Sequence, residues 1–148
     1  MKLIHILVVE DNEGDILLIT EALQECEVIN DISVVRNGKL ALDFVFKKGD
    51  YKEVHSPDII LMDINLPLKN GIEVLQTLKS DETTKHIPII ILTTSSSEND
   101  IMKSYNNHAN AFITKPLDAT EFFDAISSLE DFWLNIVNLP TNKDNGKR

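Results

Sequence analysis

The hydrophobic positions of this chain gather into five short runs: Leu3 to Val9, Ile32 to Val35, Ile59 to Met62, Ile89 to Leu92 and Ala111 to Ile113. Most are unbroken aliphatic or β-branched stretches rather than alternating ones, which is how strands buried on both faces read. Between them the spacing turns helical. Ile16, Ile19 and Leu23 share one face of a first helix, opened by capping-type residues at Asn12 or Asp15. Asn37 and Gly38 precede a second helix carrying Ala41, Phe44 and Val45, and Gly71 precedes a third with Val74, Leu75 and Leu78. A more polar fourth helix is expected from about Glu98 to Asn107. A long fifth starts near Asp118, with Phe122, Ile126, Leu129, Trp133 and Ile136 along one stripe. Strand and helix alternate five times, which predicts an α/β fold: an open parallel sheet, doubly wound, with right-handed crossovers. In such sheets chemistry collects at the carboxyl ends of the strands.

The residues just past those ends are therefore the ones to inspect. Glu10 and Asp11 follow the first strand, Asp63 the third, Thr93 and Thr94 the fourth, and Lys115 and Pro116 the fifth. The second ends in Arg36 and Asn37 and adds no obvious member. Alone, each signal is weak: an acid after a strand is usually a turn or cap residue, and Lys-Pro is a common surface turn. Together they place three acids, a hydroxyl and a lysine on one shallow crevice. Two carboxylates about 4 Å apart repel by roughly 4 kcal/mol at an effective dielectric near 20. A divalent cation removes that repulsion, and an all-oxygen site suits Mg²⁺ better than zinc. Asn65 could add its backbone carbonyl, and Lys115 supplies a positive charge on the far side. A metal and an ammonium flanking one carboxylate would attract a phosphoryl group and neutralise its oxygens. Asp63, central in the row, is the natural nucleophile.

Composition narrows the function classes. There are 14 basic and 24 acidic residues, a net charge of −10, so a nucleic-acid partner is not expected. The single cysteine, Cys26, permits neither an internal disulfide nor a cysteine zinc site. Leu3 to Val9 is too short to span a membrane and lacks a cleavage site after it, so a cytoplasmic protein without a membrane partner is expected. His5, His55, His86 and His108 are scattered and read as surface or packing residues.

Five motifs then stand together: Ile6-Leu-Val-Val-Glu-Asp11, Ile60-Leu-Met-Asp63-Ile-Asn-Leu-Pro67, Gly71, Pro88-Ile-Ile-Ile-Leu-Thr93 and Ala111-Phe-Ile-Thr-Lys115-Pro116. Gly71 lies eight residues after Asp63, Thr93 thirty after it, and Lys115 twenty-two after Thr93. From Met1 to about Leu129 the chain resembles the response regulator receiver domains, the family of the chemotaxis regulator CheY. The resemblance implies a flavodoxin-like sheet of order 2-1-3-4-5. It implies that Asp63 accepts a phosphoryl group from a histidine kinase, with Glu10, Asp11, Asp63 and the Asn65 carbonyl holding Mg²⁺. Lys115 and Thr93 would contact phosphoryl oxygens. Phe112 occupies the aromatic switch position and would turn inward as Thr93 moves. The Lys115–Pro116 bond is usually cis in the family. Glu10 stands where Asp is common, and its extra methylene would place it on the metal through water. Such a protein is a phosphoacceptor that assists its own phosphotransfer and dephosphorylation, not an enzyme.

Residues 1–140 are expected to form the receiver and 141–148 a loose tail, with no output domain, so that output is a protein contact. Phe123, Phe132, Leu134 and Val137 lie off the apolar stripe of the fifth helix. One helix cannot bury all of these against one sheet, which points to a homodimer on the fourth helix–fifth strand–fifth helix face or to kinase docking. The bland alternative is that the tail folds back over them. The ending Phe132 to Pro140 also resembles that of single-domain regulators paired with cyanobacterial and bacterial phytochromes, which implies a phytochrome-like kinase. Three rival readings differ at particular residues. A flavin carrier would need a phosphate-cradling loop where Glu10-Asp11-Asn12-Glu13-Gly14 stands. A haloacid-dehalogenase-type phosphatase would want an acid at Asn65. A degenerate receiver that only binds partners finds no support, since Asp11, Asp63, Thr93 and Lys115 are all present.

Overall fold

The computed structural model describes residues 3–25, 30–136 and 138–140. Cys26, Val137 and the tail from 141 to 148 lie outside them, as do the side chains of Leu134 and Ile136. Five strands, β1 (Ile4–Val9), β2 (Asn30–Val35), β3 (Ile59–Met62), β4 (Ile89–Thr93) and β5 (Ala111–Thr114), alternate with five helices. The helices are α1 (Glu13–Gln24), α2 (Gly38–Val45), α3 (Gly71–Ser80), α4 (Glu98–Asn106) and α5 (Ala119–Glu130). All strand pairs are parallel, and the order is β2-β1-β3-β4-β5. The expected doubly wound α/β sheet is what forms.

The unbroken apolar runs are explained by two cores. Leu7, Val9, Ile60, Met62, Ile89 and Ile91 point to the side covered by α2 and α3. Their neighbours Ile6, Val8, Ile59, Leu61, Ile90 and Leu92 point to the side covered by α1 and α5. Both parities of β1, β3 and β4 are thus buried, while the edge strands β2 and β5 are only partly covered. Side chains of Asn12, Asn37, Asn70, Ser97 and Asp118 cap the five helices by accepting a backbone N–H. Asn70 and Glu73 form a reciprocal capping box, so the third helix opens one residue before Gly71, with Gly71 already inside it.

The fifth helix departs from the expected single α stripe. After Glu130 it widens into a π-helical turn over Asp131–Ile136. A π turn advances by i→i+5 bonds and so rotates the side chains that follow it. Trp133 packs with Phe123 against the α1-side core, whereas Phe132 stands 51% exposed. Leu139 also lies on that core, so the chain beyond the helix covers part of it. Among the described residues no peptide is cis, so Lys115–Pro116 is trans, against the family expectation. Trans is the isomer an X–Pro bond intrinsically favours, by about 0.5–1 kcal/mol. No helix among the described residues is long and apolar enough to cross a membrane.

Candidate functional site: an acid pocket around a buried lysine

β1 and β3 are adjacent and in register from Ile6 opposite Ile59 to Val9 opposite Met62, so Glu10 and Asp63 leave the sheet side by side. The Asp63 N–H donates to the Val9 carbonyl at 3.0 Å and continues the ladder one step beyond the strand. Asp11 stands at the mouth, exposed. Carboxylate oxygens of Glu10, Asp11 and Asp63 all lie within 4.8 Å of one another, the only such cluster among the described residues. An all-oxygen set this close fits a hard divalent cation.

The pocket is deeper than the shallow crevice expected: Glu10, Asp63 and Lys115 are 2%, 7% and 4% exposed. Lys115 is also not set apart on the far side. Its Nζ donates to Glu10 Oε2 at 2.6 Å, Asp15 Oδ2 at 2.8 Å and Asp63 Oδ2 at 3.1 Å. A buried ammonium with three N–H bonds needs three acceptors, and buried carboxylates need a cation, so each requirement meets the other. Burial alone would lower the pKa of Lys115, but the bonds to Asp15 and Glu10 and the charge of Asp63 outweigh it and hold the lysine firmly protonated. Glu10 is pushed up, chiefly by burial, against the bond from Lys115. Its Oε1 accepts the N–H groups of Asp11 and Asn12, both at 3.2 Å, which fixes the longer side chain over its own turn.

Asn65 lies at the rim and donates its N–H to Asp63 Oδ1 at 3.3 Å. Thr93 is fully buried, and its hydroxyl accepts the Ser95 N–H at 3.4 Å. The Lys115 N–H donates to the Thr93 carbonyl at 2.7 Å, so β4 and β5 deliver these two residues together. Phe112 is half-buried against the α2–α3 core, and its N–H donates to the Tyr105 hydroxyl at 3.2 Å. Arg36 pairs with Glu13 at the exposed start of α1 and joins none of the pocket carboxylates. The histidines stay out of it: His86 and His108 are exposed, and His5 stacks on His55 with ring centroids 4.7 Å apart.

The member missed by sequence reasoning is Asp15, which the sequence offers only as a helix cap. The cap is Asn12, whose side chain accepts the Asp15 N–H at 2.9 Å, and the Asp15 carboxylate is left free to turn inward. Its place in the first turn of α1, close after the strand-end acids Glu10 and Asp11, was the available signal.

The model of the response regulator receiver domain matches residues 6–127. The chain belongs to that family. The receiver is 38% identical over 135 residues to the response regulator Rcp1 of Synechocystis sp., covering 91% of this chain and 92% of Rcp1. Its fold matches the phosphorylated cyanobacterial phytochrome response regulator RcpA with a TM-score of 0.92 and 42% identity, over 95% of this chain and all of that one. The Mn²⁺-bound form of Rcp1 matches with a TM-score of 0.90 and 37% identity, over 93% and 99% of the two chains. The receiver is thus a CheY-like member of a two-component system, similar to phytochrome response regulators.

Proposed function

We propose that this receiver is a response regulator that accepts a phosphoryl group on Asp63 from the phosphohistidine of a sensor histidine kinase. The observation carrying the proposal is the Asp63 carboxylate itself, clustered with those of Glu10 and Asp11 and bonded to the Lys115 ammonium, which also bonds Glu10. An Asp63 oxygen forms a bond to phosphorus as the N–P bond of the donor breaks, and the imidazole keeps that electron pair. Lys115 orients the carboxylate beforehand and then meets a phosphoryl oxygen. Thr93 turns its hydroxyl from the Ser95 N–H to another, and Phe112 follows. Mg²⁺ held by Glu10, Asp11, Asp63 and the Asn65 carbonyl would supply the charge that offsets the phosphoryl oxygens. The protein is consumed and regenerated as a phosphoacceptor rather than turning over a substrate as an enzyme.

The signal leaves through protein contacts on α4, β5 and α5, next to Thr93 and Phe112, and this face also joins two copies in a homodimer. A phytochrome-like kinase is the partner the relatives support, since RcpA is a phytochrome response regulator. The place of action is the cytoplasm. The test is intact-mass spectrometry after incubation with acetyl phosphate and Mg²⁺. One phosphoryl adduct is expected, abolished by EDTA and absent in Asp63→Asn. Retained labelling of Asp63→Asn would sink the assignment. Absence of an adduct with small donors and with candidate kinases alike would favour a receiver that only binds partners.

A further inference from the structure

The third bond of Lys115 is not explained by the phosphoacceptor and its neighbours. Glu10 and Asp63 are shut away, but the Asp15 side chain is 24% exposed and comes from a different element, the first turn of α1. Asp15 therefore reaches the ammonium from the open side of the pocket, at a distance shorter than that of Asp63 itself. The two inner carboxylates are the same ones that would hold a divalent cation. Lysine and cation compete for them, because a carboxylate oxygen bonded to an ammonium is a poorer ligand.

We infer that Asp15 is a positioning residue that takes a share of the Lys115 ammonium and so loosens its hold on Glu10 and Asp63, the two carboxylates that would bind a divalent cation. Without Asp15 the lysine loses its third acceptor, bonds Glu10 and Asp63 more tightly than it already does, and competes better against the metal. This deepens the phosphoacceptor reading and rests on it for its purpose, though the metal competition stands on the geometry alone.

The experiment is Mn²⁺ binding by electron paramagnetic resonance, in the absence of any phosphodonor, for the full chain and its variants. Asp15→Asn keeps the shape and removes the charge; affinity is expected to fall about tenfold, the lower end of what outer partners of a metal site supply. Asp15→Glu is expected to restore most of it. Glu13→Gln removes an equal charge from the same turn, but that carboxylate pairs outward with Arg36, so affinity should change less than about twofold. The deciding measurement is the cycle with Lys115→Met. In that background Asp15→Asn should also change affinity less than about twofold, because the residue acts through the lysine. An equal loss in both backgrounds would reduce Asp15 to bulk charge and overturn the inference, as would unchanged affinity in Asp15→Asn or a wild type that binds no Mn²⁺. A wild type that binds Mn²⁺ in the expected cycle yet never gains a phosphoryl adduct would instead retire the phosphoacceptor reading and leave this one standing.

Discussion

The ammonium of Lys115 has three N–H bonds and three carboxylate partners, on Glu10, Asp15 and Asp63. Those partners hold its pKa above the ordinary 10.5. A cation whose folded value is raised contributes stability that is fully present below its unfolded value and is lost as pH climbs through the folded one. Lys115→Met should therefore cost about 3–5 kcal/mol near neutral pH, because it leaves buried carboxylates facing one another. Urea unfolding in EDTA measures this. The gap between wild type and variant should stay level up to about pH 10 and narrow only beyond the unfolded value. A gap already closed by about pH 9 would show that the ammonium is not held as described. Asp63→Asn makes the complementary point: it removes the proposed nucleophile but keeps a side chain of the same shape. The circular dichroism spectrum should be unchanged while the mass adduct disappears.

Among the elements, the β3–α3 connection holds the Asp63 main chain in place. Gly71 donates its N–H to the Ile64 carbonyl at 2.8 Å, and a Cβ on it would meet the Asp63 carbonyl oxygen at 2.3 Å. The clash is with backbone, which cannot swing aside. Gly71→Ala should push the Asp63 main chain outward, destabilise by about 1–3 kcal/mol and slow phosphorylation by acetyl phosphate at least tenfold. Thermal unfolding and the rate of mass gain read the two effects. An alanine variant phosphorylated at the wild-type rate would show that this close approach does not set the position of Asp63. The elements themselves were legible because β1, β3 and β4 bury both parities, leaving apolar runs that no surface strand would carry. The π turn at Asp131–Ile136 was not, since bulky residues at spacings of three and four fit an α-helix equally well. Asp15 was hidden for a related reason. An acid in a first helical turn already has an adequate local explanation, and only the return of β5 across the sheet brings Lys115 to it. The inward closure of the pocket likewise depends on contacts between residues about a hundred positions apart, which no local pattern records.

For the whole molecule, a net charge of −10 on each copy opposes self-association, so any homodimer must be held by apolar contact strong enough to overcome that repulsion. Candidate contacts are present. Met102 and Tyr105 on α4, Leu117 just before α5 and Phe132 just after it are 57%, 47%, 99% and 51% exposed. Of the apolar residues off the expected stripe, Phe123 lies against the core, beside Trp133 and Leu139, while Leu134 and Val137 lie outside the described side chains. Among the described side chains of that segment Phe132 stands outward, packed edge-on against Trp133 with ring centroids 5.9 Å apart. Sedimentation equilibrium should find dimer at about 100 µM protein, and more of it at about 200 mM salt than at 20 mM, since screening shortens the reach of like charges to about 10 Å or less. A dimer held by ion pairs would respond to salt in the opposite direction. Phe132→Asp should weaken association at least tenfold, because it adds charge where apolar area is buried, while Leu17→Asp on α1 should weaken it only slightly. Monomer at every salt concentration would remove the homodimer from the proposed function and leave the α4–β5–α5 face for the downstream partner alone.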